Sequence, residues 1–335
     1  MKILLVQTSF PGDIVLSTPV IAGIKKKYPE SQLWVLTTKI GAEILSADPF
    51  LKGIIVYDKR NSDRGFLAFY RKIIEIKSHD FQIVFSLHKS FRSSLLLWLS
   101  QIPNRVGFKK AKFSFLYQDK MDRPIGEHDV IRNMSILGLA SQFSESDFDL
   151  RLCIPKNIDS ASILEKFGIS KPYAVLAPGS VWKTKMWNWK KYQELGNLLK
   201  NKLDLSVVVL GSKDDFKVSQ KVCENTSLIN VVGRTNILEF LVIIKEAKVL
   251  ICNDSMPLHV ASSFKTPAVA IFCATSPSFG FGPWRNKAIV IEREGLSCKP
   301  CSAHGANKCP TGTELCMTDV SAESALRGVM RVCDL

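Results

Sequence analysis

Short apolar runs alternate with helix-patterned segments along almost all of the 335 residues. Strands that are joined through a covering helix pair in parallel, so this alternation predicts an α/β protein built on parallel sheets. The predicted strands are Lys2–Thr8, Gln32–Thr38, Gly53–Tyr57, Phe81–Leu87, Asn104–Gly107, Tyr173–Ala177, Leu205–Leu210, Ile229–Val232, Val249–Asn253, Ala268–Phe272 and Ala288–Glu292. The clearest helical segments between them are Ile14–Tyr28, Arg64–Ser78 and Trp189–Asn201.

The stretch between Pro155 and Pro172 separates these strands into two sets of similar size, and we expect the linker there. A hydrophobic fraction of 46% is enough for two cores. We therefore expect a first domain over residues 1–165 and a second over residues 172–320. The last residues, 321–335, are expected to form a helix that packs back on the first domain. Ligands of such folds bind at the carboxyl ends of the strands.

No segment has the pattern of a membrane span or an export signal. The apolar run Met1–Gln7 is short and leads into a turn, so we interpret it as the first strand. The apolar stretch Leu95–Leu99 has five residues, whereas a bilayer span needs about 20. Nine cysteines in a chain without an export signal are expected to be thiols or metal ligands. We expect a cytoplasmic protein whose basic surface holds it at the inner face of the cytoplasmic membrane.

The positive charge is concentrated in one region. The net charge is +14, and residues 59–123 contain 14 Lys and Arg against 5 Asp and Glu. Aromatic side chains are interleaved with these charges at Phe66, Phe69, Tyr70, Phe91, Phe108, Phe113 and Phe115. A single lysine here is best explained as part of a solvated face, but the cluster favours a surface for a phosphorylated lipid, an acidic sugar or a nucleic acid.

The turn Thr8–Asp13 joins the first strand to the first helix, where α/β folds bind ligands. Gly12 permits a sharp turn. Asp13 is equally suited to cap the helix or to act as a general base on an acceptor hydroxyl. No GxGxxG or Walker A sequence occurs, so the usual dinucleotide and P-loop functions are not supported.

Two loops of the second half predict binding of an anion. The loop Ala177–Trp187 follows a strand and combines small residues with Lys185, which favours an anion site over a basic turn. In Asn253–Ala261, Ser255 is the expected N-cap of a helix whose first turn would attract a diphosphate. His259 lies one turn into that helix, and we weigh a role at the anion against a structural one.

Four cysteines near the carboxyl terminus form the fourth pattern: Cys298, Cys301, Cys309 and Cys316. A CxxC pair with two further thiols is compatible with a structural zinc ion. The second spacing, however, is not that of a standard zinc knuckle. Reduced thiols or a redox-sensitive loop are the alternative interpretation.

Taken in order, these motifs resemble those of the ADP-heptose:lipopolysaccharide heptosyltransferases, glycosyltransferase family 9, and look most like the heptosyltransferase II branch. The resemblance covers nearly the whole chain and rests on Thr8–Asp13, Ser90–Phe108, Ala177–Trp187, Asn253–Ala261, Lys265–Thr275 and the cysteine-rich loop. It implies a GT-B fold, with two Rossmann-like domains facing each other across a cleft. It also implies inverting transfer of heptose from ADP-L-glycero-D-manno-heptose to the inner core of lipopolysaccharide, on an anionic acceptor of the heptosyl-Kdo2-lipid A type.

The resemblance assigns roles to individual residues. Asp13 matches the catalytic base, and Lys185 matches the lysine that contacts the donor phosphate. Donor contacts are implied at Ser180, Asp214 or Asp215, Thr235, Asp254, Ser255, Met256 and His259, and acceptor contacts at Gly12, Lys89, Arg92 and Arg105. Many relatives have Gly in place of Met256, so we expect a different ligand geometry there if that position needs a positive φ.

No cofactor is expected to be needed for catalysis, because no convincing DxD loop occurs and Lys185 with the helix start can supply the positive charge. Two alternatives stay open: a GT-B enzyme that uses another nucleotide sugar, and a nucleic-acid-binding protein with a zinc module. The second lacks any helix-turn-helix, zinc-finger or RRM signature, so we expect no nucleic-acid partner. The sequence does not decide the oligomeric state.

Overall fold

The computed structural model describes residues 1–59, 63–138 and 142–335. They form two compact units, Met1–Cys153 and Ile154–Leu335. The division lies ahead of the expected boundary at residue 165. The reason is that the helix-like segment of the expected linker, Ser160–Lys166, buries Leu164 and packs on the helix Ile237–Lys245 of the second unit.

The first unit is one parallel six-stranded sheet with helices. Its strands are β1 (Lys2–Gln7), β2 (Gln32–Thr37), β3 (Leu51–Val56), β4 (Ile83–Ser86), β5 (Asn104–Phe108) and β6 (Asp119–Met121), in the order β3-β2-β1-β4-β5-β6. Its α-helices are α1 (Pro11–Leu16), α2 (Thr18–Lys27), α3 (Lys39–Leu45), α4 (Phe66–Ser78), α5 (Phe91–Leu99) and α6 (Asp129–Met134). The strand order reverses between β1 and β4, which is where such sheets bind ligands.

The second unit repeats this topology. Its strands are β7 (Tyr173–Ala177), β8 (Ser206–Val209), β9 (Ile229–Asn230), β10 (Val249–Asn253), β11 (Ala268–Phe272) and β12 (Ala288–Glu292), in the order β12-β11-β10-β7-β8-β9. Its α-helices are α7 (Ser160–Lys166), α8 (Trp189–Leu203), α9 (Phe216–Cys223), α10 (Ile237–Lys245), α11 (Met256–Phe264), α12 (Leu315–Thr318) and α13 (Ala322–Cys333). The reversal here lies between β7 and β10.

The central strands of the second sheet are apolar at nearly every position because both faces of the sheet are covered. All residues of β7, β10 and β11 are buried. Leu250 in the middle strand is in register with Val175 on one side and Ala268 on the other. The register brings the ends of β7 and β10 together, and with them the two loops expected to bind an anion.

The expected helix Ile14–Tyr28 is two helices, α1 and α2, which meet at Ser17. Pro19 has no N–H group to continue the helical hydrogen bonds. The hydroxyl of Thr18 donates instead to the carbonyl of Val15, at 2.8 Å. The break lets α1 end one turn after Asp13 without leaving that buried carbonyl unsatisfied.

The carboxyl-terminal helix α13 corrects an expectation, because it packs on the second unit. Ala325, Leu326 and Val329 are buried in the core formed with α8 and the β10–β12 part of the sheet. A Cβ on Gly328 would lie 3.1 Å from Ile291, so the glycine allows the helix backbone to approach β12 closely. The segment 321–335 therefore completes the second sheet's cover.

Candidate functional site

The loop after β7 and the loop after β10 of the second unit are joined by one buried amide, that of Asn253 at the end of β10. Its Oδ1 accepts hydrogen bonds from the backbone N–H of Trp187 (2.9 Å) and the hydroxyl of Tyr192 (3.1 Å). Its Nδ2 donates to the carbonyl of Pro178 at 2.8 Å. The loop after β7 is thus held at both of its ends by the residue that directly precedes Asp254.

A buried ion pair lies in this frame. Lys185 Nζ is 2.7 Å from Asp254 Oδ2, and the hydroxyl of Thr275 donates to the same oxygen, also at 2.7 Å. The side chains of Lys185 and Asp254 are only 13% and 6% exposed. A lysine ammonium has three donors, and Asp254 accepts from one. The pair therefore holds a cation ready for an anionic ligand at the switch point of the sheet.

Helix α11 begins directly beyond this pair. Ser255 is its N-cap residue in extended conformation, and its hydroxyl donates to the carbonyl of Asn253 at 3.3 Å. The first N–H groups and the dipole of a nine-residue helix favour a phosphate at this end. His259 lies one turn further and is buried. The three sequence-predicted residues Asp254, Ser255 and His259 are thus brought to one place.

Met256 is the first residue of α11, and its backbone shows whether this position needs a positive φ. Among the described residues, those with a positive φ do not include Met256. The turn therefore accepts a side chain without strain, and the geometry at this position does not require glycine.

The structure distinguishes the two carboxylates after β8. Asp215 Oδ2 accepts from both the N–H and the hydroxyl of Ser212, each at 2.8 Å. Its other oxygen lies against the loop after β7, since a Cβ on Gly179 would be 2.0 Å from it. Asp214 is exposed. Of the two, only Asp215 is fixed beside the donor-side loop.

Two other expected donor contacts lie on neighbouring loops. Ser180 directly follows Gly179, beside Asp215. Thr235 follows the turn after β9, where the N–H of Gly233 donates to the carbonyl of Gly211 at 3.2 Å. The loops after β7, β8 and β9 are therefore adjacent at the carboxyl edge of the sheet.

The cysteine-rich loop is hydrogen-bonded to the loop that carries Lys185. The N–H of Ala306 donates to the hydroxyl of Thr184 (2.8 Å), and the N–H of Thr184 donates to the carbonyl of Ala306 (3.0 Å). The N–H of Cys301 donates to the carbonyl of Ala274, next to Thr275, at 2.9 Å. Sequence reasoning missed the positioning role of Thr184, because a buried threonine between two lysines has no distinctive pattern.

The four cysteines of this loop differ in their surroundings. Burial raises the pKa of Cys316 to about 11, whereas a hydrogen bond from the hydroxyl of Thr311 lowers the pKa of Cys309 to about 7. Within the part of the chain that the structure describes, no three His, Cys, Asp or Glu side chains are grouped so that they could hold a metal ion. In this arrangement the four thiols do not form such a group, and zinc at Cys298, Cys301, Cys309 and Cys316 stays a prediction.

In the first unit, cationic side chains surround the carboxyl ends of β1, β3 and β4. Lys59 Nζ donates to the hydroxyl of Thr8 at 2.7 Å and lies 3.4 Å from His88 Nδ1. The same ring nitrogen lies 2.7 Å from the hydroxyl of Ser93. Burial, together with the charges of Lys59 and Lys89, lowers the pKa of His88 to about 4. The ring is therefore neutral at pH 7.

Lys89 is the centre of a second group of charges. Burial and the nearby cation Arg123 lower its pKa, while Asp129 and Asp13 act in the opposite direction. Arg123 and Arg132 both pair with Asp129. We call the cations of this edge the basic cluster; they are Lys59, Lys89, Arg92, Arg123 and Arg132. Their excess over the two carboxylates suits an anionic ligand.

Asp13 fulfils the capping role that the sequence left open. Its Oδ2 accepts from the N–H of Phe10 at 3.1 Å, at the start of α1. The hydrogen bond fixes the carboxylate at the end of β1, beside Gly12 and within the field of Lys89. Capping and general-base action are compatible, because one carboxylate has two oxygens and about four acceptor positions.

Of the expected acceptor contacts, Arg92 lies at this edge and Arg105 does not. Arg92 donates to the hydroxyl of Tyr57, directly after β3, at 2.6 Å. Arg105 is near the amino end of β5, and its guanidinium donates to the carbonyls of Leu116 and Ile102. It ties the strand to its flanking turns at the opposite edge of the sheet. The acceptor role expected for Arg105 is therefore replaced by a structural one.

Sequence reasoning also missed Lys59, His88, Arg123 and Arg132. Each lies directly after a strand or in the helix that follows, which is a usable signal. Their convergence depends, however, on strand order, because the sheet places β4 beside β1, although two other strands separate them in the chain.

Each unit is built on a parallel six-stranded sheet and carries charged groups where its strand order reverses. Two such Rossmann-like domains are the architecture of the GT-B glycosyltransferases. Residues 70–309 match the sequence model of glycosyltransferase family 9 (heptosyltransferase). This match spans more than half of the chain, so the chain belongs to that family and is a glycosyltransferase.

Solved structures and curated proteins agree with this assignment. The crystal structure of a glycosyltransferase family 9 protein from Veillonella parvula DSM 2008 superimposes with a TM-score of 0.86, at 21% identity and 99% and 97% coverage of the two chains. The structure of Escherichia coli ADP-heptose LPS heptosyltransferase II gives a TM-score of 0.82, at 21% identity and 99% and 98% coverage. Lipopolysaccharide heptosyltransferase 3 of E. coli (strain K12) is 25% identical over 301 residues, 84% of each chain. Such identities do not select one branch, so the heptosyltransferase II branch stays a prediction.

The neutral His88 makes stability depend on pH. As pH falls through 6.5, the unfolded chain binds a proton on this ring before the folded protein does, so folding stability falls between pH 6.5 and about 4. The loss from this group is at most about 3 kcal/mol. We expect His88→Asn to flatten the pH dependence of urea unfolding in this range. The exposed His304→Asn should leave it unchanged, and equal slopes for the two variants would contradict the assignment.

Substitutions in the Lys185–Asp254 pair can separate a stabilising role of Lys185 from a chemical role. Lys185→Met should lower turnover by about 10²–10³-fold and also lower the melting temperature, because Asp254 stays buried without its cation. Adding Asp254→Asn should restore much of the stability without restoring turnover. Lys183→Met, an exposed neighbour on the same turn, is the control. Full activity of the double variant would exclude a chemical role for the lysine.

Proposed function

We propose that this glycosyltransferase transfers heptose from ADP-L-glycero-D-manno-heptose to the inner core of lipopolysaccharide, on an acceptor of the heptosyl-Kdo2-lipid A type. The observation that carries the proposal is the buried Lys185–Asp254 pair beside the start of α11. It occurs in a chain that belongs to the heptosyltransferase family.

The second unit would bind the donor. The diphosphate would accept hydrogen bonds from Lys185 and from the N–H groups that follow Ser255, with His259 one turn away. The ADP ribose would lie toward Asp215, on the adjacent loops that also carry Ser180 and Thr235. These contacts place the negative charge of the leaving group where fixed donors already point, which is the arrangement that stabilises a transition state.

The first unit would bind the acceptor. The basic cluster supplies five cations, two of which pair with Asp129, and acidic sugars and lipid phosphates carry the complementary charge. The neutral ring of His88 adds no further charge to the site.

The reaction would be a single displacement. Asp13 takes the proton from the acceptor hydroxyl, and the oxygen forms a bond to the anomeric carbon of heptose as the bond from that carbon to the diphosphate breaks. The bonding electrons leave with ADP, whose new charge Lys185 and α11 stabilise. Attack opposite to the leaving group inverts the anomeric configuration. Lys185 and the helix dipole supply the charge that a metal ion supplies elsewhere, so the proposal includes a metal-independent transfer.

We also propose that the enzyme works in the cytoplasm at the inner face of the cytoplasmic membrane, where its lipid-linked acceptor would be embedded. The positive charge between residues 59 and 123 supports attraction to an anionic leaflet. A nucleic-acid partner receives no support from the family to which the chain belongs.

The donor and acceptor are tested directly by product formation. Purified protein should release ADP from ADP-heptose only when a heptosyl-Kdo2-lipid A acceptor is present. ADP-glucose and UDP-sugars at equal concentration are the comparison donors, and a preference for a UDP-sugar would replace the donor while keeping the fold and mechanism.

The role of Asp13 is tested by Asp13→Asn, which preserves the cap because the amide oxygen can still accept from Phe10 N–H. We expect kcat to fall about 10³-fold, with the KM for the donor and the melting temperature unchanged. Asp159→Asn is the matched control, since Asp159 also caps a helix, α7, and no role in the reaction is proposed for it. A variant at Asp13 that keeps its kcat would remove this residue as the base.

A further inference from the structure

The most exposed large apolar side chains of the first unit follow the carboxyl ends of its strands. They are Phe66 (81% exposed), Leu67 (71%), Phe115 (70%) and Ile125 (84%), and we call them the apolar rim. Phe66 and Leu67 begin the helix after β3, Phe115 follows β5, and Ile125 follows β6. Because all six strands are parallel, the segments that carry Phe66, Leu67 and Ile125 leave the sheet at one edge, which is also the edge of the basic cluster. Phe115 lies further along its segment, in the turn that leads into β6.

Helix α4 is apolar on both of its sides. Its inner side packs Phe69, Ile73 and Ile76 into the core of the unit. Its outer side exposes Phe66, Leu67, Tyr70 and Ile74. A helix at the surface of a soluble domain ordinarily has a polar outer face, so four exposed apolar side chains beside Arg71, Glu75 and Lys77 indicate a second apolar contact.

Aromatic contacts connect the rim to the binding edge. The rings of Phe113 and Phe115 are 5.3 Å apart, and Phe113 packs edge-on against Phe91 at 4.5 Å. Phe91 begins α5, and the next residue, Arg92, has its guanidinium 5.2 Å from the ring of Phe69 on α4. The apolar surface and the basic cluster are therefore continuous through Arg92.

Cations outnumber carboxylates around the rim. The exposed cations on these segments are Arg64, Arg71, Lys77, Lys109, Lys110, Lys112 and Lys120, and the exposed carboxylates are Glu75, Asp119, Asp122 and Glu127. An apolar surface with an excess of cations around it complements an anionic lipid leaflet, in which phosphates lie above an acyl region. A second copy of the chain fits less well, because a twofold contact would bring the same cations together.

We propose that the apolar rim inserts into the interfacial layer of an anionic membrane while the surrounding lysines and arginines contact lipid headgroups. Among the described residues no helix is long and apolar enough to cross a bilayer, so the contact would be peripheral. Membrane docking would also bring a lipid-anchored acceptor to the basic cluster, and this part of the proposal rests on the proposed function. The docking to the membrane does not depend on the proposed function.

The experiment is co-sedimentation of the full-length protein with vesicles of phosphatidylcholine alone and of phosphatidylcholine with phosphatidylglycerol. We expect binding to the anionic vesicles that weakens as salt is added. The double variant Phe66→Ser, Leu67→Ser should bind them about tenfold more weakly. Trp98→Ser is the control, because Trp98 is exposed at the other end of α5. Unchanged melting temperatures establish that the variants fold.

Two outcomes overturn the proposal: equal vesicle binding by the double variant and the parent, or a parent dimer in sedimentation equilibrium that the double variant abolishes. The vesicle assay contains neither donor nor acceptor, so it stands even if the proposed transfer fails. If the transfer is found, the double variant should turn over a water-soluble acceptor without acyl chains at the parental rate. Its loss should be confined to acceptor presented in vesicles.

Discussion

The amide side chain of Asn253 is the interaction on which the donor side depends. It satisfies groups from the loop after β7 and from α8 while its own backbone ends β10. Because that loop carries Lys185 and the next residue is Asp254, the amide sets the separation of the buried ion pair. A buried polar group of this kind is strongly destabilising when unsatisfied. Few conformations of the loop satisfy these hydrogen bonds, so the positions of Lys185 and Asp254 are narrowly defined.

The two units share one topology but differ in the charged groups at the strand-order reversal. In the second, Lys185 is held beside a carboxylate and a helix start, an arrangement that would suit a diphosphate. In the first, cations are spread along the edge of the sheet, and burial among them keeps His88 neutral. One carboxylate, that of Asp13, is held at this edge because it accepts a hydrogen bond from the N–H of Phe10.

Much of the fold was predictable from local pattern. The strands β7, β10, β11 and β12 begin and end where the sequence analysis put them, because buried parallel strands are continuous apolar runs between turns. The three-residue strand β6 was missed, since Asp119 and Lys120 give it no apolar pattern. The break at Ser17 and the packing of α13 were also not predicted. The packing of α13 depends on contacts with residues far along the chain, whereas the break depends on Pro19 and on the hydrogen bond from Thr18 to Val15.

The sequence by itself determined the α/β class, the two-part organisation, the family, and the loops around Asp13, Lys185 and Asp254. These follow from periodicity and from motifs whose residues are close in the chain. Only the tertiary structure decided that Asp215 and not Asp214 faces the donor loop, and that Arg105 lies away from the binding edge. The tertiary structure also decided that Lys59, His88 and Arg123 lie at that edge. The physical reason is that strand order brings together the ends of strands that are not neighbours in sequence, and no local pattern encodes that order.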